Sequence, residues 1–305
     1  MHMDISWSAA ELVPDEMAGW RAYASLLSRH SIGPDLWKGA DPSEGPRHYL
    51  EPESLAGVAV THLPQDLAAY YQVVGARPAE RTGIAPWIIL DLQKQLTKAM
   101  AENRWDDAAT LASAMGHYVG DIHQPLHCTS DFDGSHGRFT GVHLRWEVEM
   151  PKGRWNRSML RPAPPVFLAN PWMDLLTWIE TSHSLAPQIL DADRTARKKT
   201  ESDVQSPKYY WAMWYESKDL MQSQASAAAS HLASLWYTAW VNAGKPPIPP
   251  PPESIPDASI HLKAAGTARK AFSQWSVPLV LVSVFAVAGM WIVAKSLYPK
   301  RPSPK

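Results

Sequence analysis

The chain has 305 residues, 45% of them hydrophobic, enough to bury a full core as one domain of about 240 residues with an appendage. With a formal net charge of −1 no basic surface announces nucleic acid, which weighs little against a nuclease because a metal cluster can itself hold the phosphate. Cys128 is the single cysteine, so no internal disulfide can form, and it reads as a small buried thiol.

The first residues, MHMDISWSAAELVPDEM, carry neither a basic n-region nor an apolar h-region, so they are not a signal peptide. Residues 16–30 form an amphipathic pattern with Met17, Trp20, Ala24 and Leu27 on one face. The stretch that follows, GPDLWKGADPSEGPRHYLEPE, is a Pro/Gly-rich loop containing Asp35, Asp41, His48 and Glu51. An Asp in such a loop often only caps a turn. Helical periodicity returns over 55–75, 83–102 and about 106–124. In the last of these Asp121 follows His117 by four residues, which places both on one helix face.

Pro125 should end that helix at about Gln124. His127 then falls in a loop, a turn-rich segment spans Asp131–Gly141, and His143 and Glu147 repeat the four-residue spacing. Five of the twelve histidines lie between His117 and Glu147, interleaved with carboxylates, which is the ligand set that zinc favours. His123 falls off the His117/Asp121 face and reads as packing, and His136 as a solvated turn residue. His30, His62, His183, His231 and His261 have no partner at ligand spacing.

Residues 154–171 are Pro-rich and irregular, and helices are expected over 171–189 and 209–243. No β alternation appears, so the fold class is all-α. GKPPIPPPPESIP, residues 244–256, reads as a stiff polyproline spacer holding the remainder away from the domain. SVPLVLVSVFAVAGMWIVA, Ser276–Ala294, is uncharged. As a helix it would be about 28 Å long, against a bilayer core of roughly 30 Å. The expected organisation is a domain over 1–243, a linker over 244–274, a membrane anchor over 275–297 and a basic tail over 298–305. Trp275 and Tyr298 flank the span, and its flanking charges favour a cytoplasmic tail and an extracytoplasmic domain.

The block His117-Tyr-Val-Gly-Asp121-Ile-His-Gln-Pro-Leu-His127, followed by His143-x-x-x-Glu147, resembles the core of the trinuclear zinc phosphodiesterases. These are the single-strand-specific nucleases and the bacterial zinc-dependent phospholipases C. The resemblance covers roughly residues 30 to 245 and is dense around the metal ligands. It implies a multi-helix domain holding two or three zinc ions, and a substrate that is single-stranded nucleic acid or phospholipid. It assigns Asp35, His48, His117 and Asp121 to one zinc, with Asp35 matching the family spacing better than Asp41. His127, His143 and Glu147 go to a second zinc, and Asp121 bridges to a third. It also makes Asp121 and Glu51 the candidate catalytic acidic residues, with Asp133 an alternative to Glu51 for orienting water.

In that family a leading Trp, followed within about a dozen residues by a His, completes the third zinc site. The order and spacing of His2 and Trp7 do not match this. Either the natural start lies upstream with an export signal, or the third site lacks part of its shell. Gly-Asp-Ile-His-Gln-Pro-Leu-His is worded like the nucleases, whereas Glu147 in place of Asp, and the missing disulfide pattern, are as in the phospholipases. The alternative function is a non-catalytic, membrane-tethered metal-binding or interaction module.

Overall fold

A computed structural model of the chain describes residues 1–74, 82–134 and 140–255. The expected membrane segment, its basic flanks, His136 and His261 lie outside them. The described residues are all-α, without a strand among them, and no helix among them is long and apolar enough to cross a membrane.

Among the described residues nine α-helices follow in chain order. They are α1 (His2–Leu12), α2 (Ala24–His30), the short α3 (Gly33–Trp37), α4 (Leu67–Val73), α5 (Ala85–Ala101), α6 (Trp105–Ile122), α7 (Val142–Leu144), α8 (Pro171–Lys199) and α9 (Pro207–Asn242). α7 runs straight into a π-helical turn, Arg145–Glu149. Short connections make α5 pack on α6 and α8 on α9, while α1 lies across both α6 and α9.

The starts of the long helices are written in the sequence. Ser206 Oγ accepts from Tyr209 N ahead of Pro207, and Asn170 does the same for Met173 N ahead of Pro171. α6 is buried from Ala108 to Ile122 on every side, because helices cover all its faces. Its two glycines let α1 approach. A Cβ on Gly116 would sit 2.4 Å from Ser6 Oγ, and one on Gly120 would sit 2.5 Å from His2 Nδ1.

Several expectations are revised. Residues 2–12 are helical although their pattern was read only for signals. Residues 55–75 contain just one helical stretch, α4, preceded by the 3-10 turns Pro52–Ser54 and Val60–His62, because Gly57 at φ +86° breaks the run. The first part of 16–30 is a 3-10 helix, Asp15–Tyr23. α8 continues through Pro187 to Lys199. α6 stops at Ile122, two residues early, where Gln124 turns its side chain back to accept from Leu126 N at 2.6 Å.

The Pro-rich stretches are not free. Between 160 and 168 the chain lies along α9, clipped by a ladder of hydroxyls one helical turn apart. Arg161 N donates to Ser226 Oγ (2.9 Å), Ala163 N to Ser230 Oγ (2.8 Å), Val166 N to Ser234 Oγ (3.1 Å) and Leu168 N to Thr238 Oγ1 (2.9 Å). The expected spacer also begins docked on the domain. Trp240 Nε1 donates to Pro246 O (2.9 Å), Tyr23 OH donates to Pro249 O (3.2 Å), and Ile248 packs against Gly19. Polyproline lacks N–H donors but offers carbonyls, and aromatic donors on this face accept that geometry.

Candidate metal centre

Eight side chains from six segments converge on the buried end of α6. His117 and Asp121 come from α6 itself, His48 from the 3-10 turn Gly45–His48, and Asp35 from α3. His127 comes from the 3-10 turn Pro125–Cys128, His143 and Glu147 from α7 and its π-turn, and His2 from α1. Within this set, three groups bring one ligand atom per residue within 4.8 Å of one another: His2/His117/Asp121, Asp35/His48/His117 and His127/His143/Glu147.

Asp121, 1% exposed, sits at the junction. Its Oδ2 meets His48 Nδ1 at 2.8 Å and His117 Nε2 at 3.4 Å. Its Oδ1 faces His2 Nε2 at 3.5 Å and His127 Nε2 at 3.9 Å. On one side Asp35 Oδ1 approaches His117 Nε2 at 3.5 Å and His48 Nδ1 at 3.9 Å. On the other, Glu147 Oε2 lies 2.9 Å from His143 Nε2 and 3.4 Å from His127 Nε2.

The donors are aimed by the surrounding fold. His117 Nδ1 donates to Ser31 O and His127 Nδ1 to His48 O, both at 2.8 Å. In the neutral imidazoles this leaves the two Nε2 lone pairs facing the cluster, with that of His127 only 3.2 Å from His143 Nε2. Lone pairs of neutral imidazoles and carboxylate oxygens pointed at common centres repel unless positive charge stands between them, so the donor set fits divalent cations. Without a cation, protons supply that charge. Burial would lower His127, but the charges of Asp121 and Glu147 lift it to about 9. Burial also opposes ionisation of Asp121 and Glu147, yet the surrounding imidazoles hold both carboxyls well below the usual range.

The second half of the cluster is anchored from behind. Arg145, in the π-turn between His143 and Glu147, donates from Nη2 to Asp193 Oδ1 at 3.0 Å and from Nε to Tyr209 OH at 3.0 Å. Trp146 Nε1 donates to Ser217 Oγ at 3.1 Å. These bonds fix α7 against α8 and α9.

Every residue assigned above to a metal is in the cluster. Asp41 is not, for its Oδ1 accepts from Ser43 N and Oγ as a turn cap. Asp133 likewise closes its loop through Gly141 N at 2.7 Å. Glu51 belongs to none of the three groups. Its neighbour Leu50 bonds His127 O at 3.1 Å, and burial followed by the charge of Glu53 raises the Glu51 carboxyl to about 7 despite a bond from Ser54. Cys128 is a buried thiol against Ile122 O.

His2 is the residue that sequence reading set aside. Its ring stacks on His117 with centroids 4.1 Å apart, and its Nε2 also lies 3.9 Å from Glu147 Oε1. The available signal was Gly116 and Gly120, a four-residue glycine spacing that marks close approach of another helix. Two histidines read as background do have partners. His231 Nδ1 lies 2.7 Å from His123 Nε2 with its ring flat on Trp178, and His183 Nδ1 donates to Cys128 O. The sequence matches no known protein-family profile and no curated protein.

Proposed function

We propose that this chain is a zinc-dependent phosphodiesterase of the trinuclear type described above, with the helical architecture of that family. The observation that carries the reading is the gathering of eight imidazole and carboxylate side chains with Asp121 at their junction, the Nε2 atoms of His117 and His127 being aimed inward by backbone bonds. Asp35, His48, His117 and Asp121 Oδ2 would hold one zinc, and His127, His143 and Glu147 a second. His2 and Asp121 Oδ1 offer ligands to a third, in place of the Trp and His of the resemblance.

Bound zinc supplies Lewis acidity that ionises a water near neutral pH and offsets charge on the phosphoryl and leaving oxygens. Asp121 holds the two halves in register through its two oxygens. The resemblance gives Glu51 the place of an acidic substrate-contacting residue, and burial raises its carboxyl to about 7. Exposed Phe132 lies 6.1 Å from the His143 ring, an apolar contact suited to an acyl chain and a stacked base alike. The apolar segment Ser276–Ala294 would tether the domain to a membrane on its extracytoplasmic face.

The test uses the full-length chain in detergent, with metal content and turnover of bis(p-nitrophenyl) phosphate measured together. Two or three zincs per chain, and turnover abolished by chelation, are expected. Metal without turnover would leave a tethered metal-binding module, and neither metal nor turnover would overturn both. Single-stranded DNA and phosphatidylcholine vesicles, offered separately, then decide the substrate class.

A further inference from the structure

Three of the clustered imidazoles have their far nitrogens pinned by a defined acceptor, and one of the three differs from the others. His117 and His127 lean on neutral backbone carbonyls and face the cluster with Nε2. His48 is turned the other way round. Its Nδ1 faces Asp121, and its Nε2 lies 3.2 Å from Glu44 Oε1. Glu44 is completely buried, as is the tyrosine whose hydroxyl donates to the same carboxylate, Tyr118. The other oxygen, Oε2, lies 3.3 Å from Nη1 of Arg47, which is 1% exposed.

Burying a carboxylate and a guanidinium together is expensive and contributes little net stability. What the pair does accomplish is local: it gives His48 a charged acceptor where its neighbours have a carbonyl. A carboxylate on the far nitrogen fixes the tautomer and raises the basicity of the ligating nitrogen.

Resting on the metal reading above, we infer that Glu44 is a positioning residue. It holds His48 with Nε2–H outward and an electron-rich Nδ1 toward the Asp35/His48/His117 group, making that group the tighter-binding part of the cluster. Tyr118 and Arg47 hold the Glu44 carboxylate in place, one on each oxygen. Glu44 stands four residues before His48, the spacing of the other His/carboxylate pairs, but within a Pro/Gly-rich loop, and its contact with Tyr118 exists only once α6 arrives beside it.

The experiment is cobalt(II) and zinc titration of the metal-stripped full-length chain, read by the cobalt d–d absorption and by metal stoichiometry. Glu44→Gln keeps an acceptor and removes the charge. It is expected to weaken one ion by about 10- to 100-fold and to shift its absorption band, while the ion at His127/His143/Glu147 titrates unchanged. The double variant Glu44→Gln/Arg47→Met also removes the guanidinium that faces Glu44 and guards against simple misfolding, and it should show the same selective loss. Unchanged affinity in either variant, or equal weakening of every ion, overturns the inference. A wild-type chain that takes up no cobalt or zinc would instead overturn the metal reading itself.

Discussion

The metal cluster and the strap along α9 solve opposite problems. The strap places four backbone N–H groups within nine residues on four hydroxyls spaced one turn apart on a single helix, so its geometry is a local repeat. The cluster gathers side chains from residue 2 to residue 147, and almost nothing in it is repeated. Its ligands are held from behind by several devices: backbone carbonyls for His117 and His127, the Glu44 carboxylate for His48, a glycine that admits His2. A periodic clip loses one rung at a time. A converging site depends on every element arriving together.

The sharpest way to break the contrast is at Asp121, which serves both sides of the cluster. Asp121→Asn should lower metal occupancy below the wild-type stoichiometry and reduce phosphodiester turnover by more than about 100-fold, beyond the usual cost of removing only a supporting partner. Metal analysis and bis(p-nitrophenyl) phosphate kinetics check both. Next in size is Gly120→Ala. Its methyl would meet His2 Nδ1, so the His2 ring must move off its site, at about 1–3 kcal/mol of stability by denaturant unfolding. One metal ion is expected to be lost, with the His127/His143/Glu147 ion retained.

Proton competition gives a third handle. In the metal-free chain His127 is raised to about 9, so its pairing with Asp121 and Glu147 stabilises fully below its ordinary value near 6.5 and fades as pH rises through 9. Metal must displace that proton, so apparent affinity at this site should rise roughly tenfold per pH unit toward 9 and then level off. Competition titrations at stepped pH measure this. The smallest effect belongs to the strap. Ser230→Ala leaves Ala163 N without its acceptor and should cost about 1–3 kcal/mol by denaturant unfolding, with metal content unchanged.

What the sequence made legible follows the same division. Contacts within a turn or two of helix are written in spacing, so His117 with Asp121 and His143 with Glu147 could be read directly, whereas the caps Asn170 and Ser206 went unread. The hydroxyl run Ser226, Ser230, Ser234, Thr238 was equally periodic and went unread, because polar residues on a helix ordinarily face water. His2 was not legible, since its role depends on α1 crossing α6, and Glu44, though four residues before His48, went unread because it lies in a Pro/Gly-rich loop. The polyproline stretch misled for a third reason. Composition gives its stiffness, but only the fold supplies Tyr23 and Trp240 as donors to its carbonyls.

The carboxylate of Asp121 has a final implication. Its Oδ2 looks to His48 and His117, its Oδ1 to His2 and His127, and both oxygens turn on one bond. Rotation that improves the grip on one flank must loosen the other. Ligand substitutions on opposite flanks should therefore not sum: a double variant such as His48→Ala/His127→Ala would depart from the total of its singles, as residues sharing a partner do.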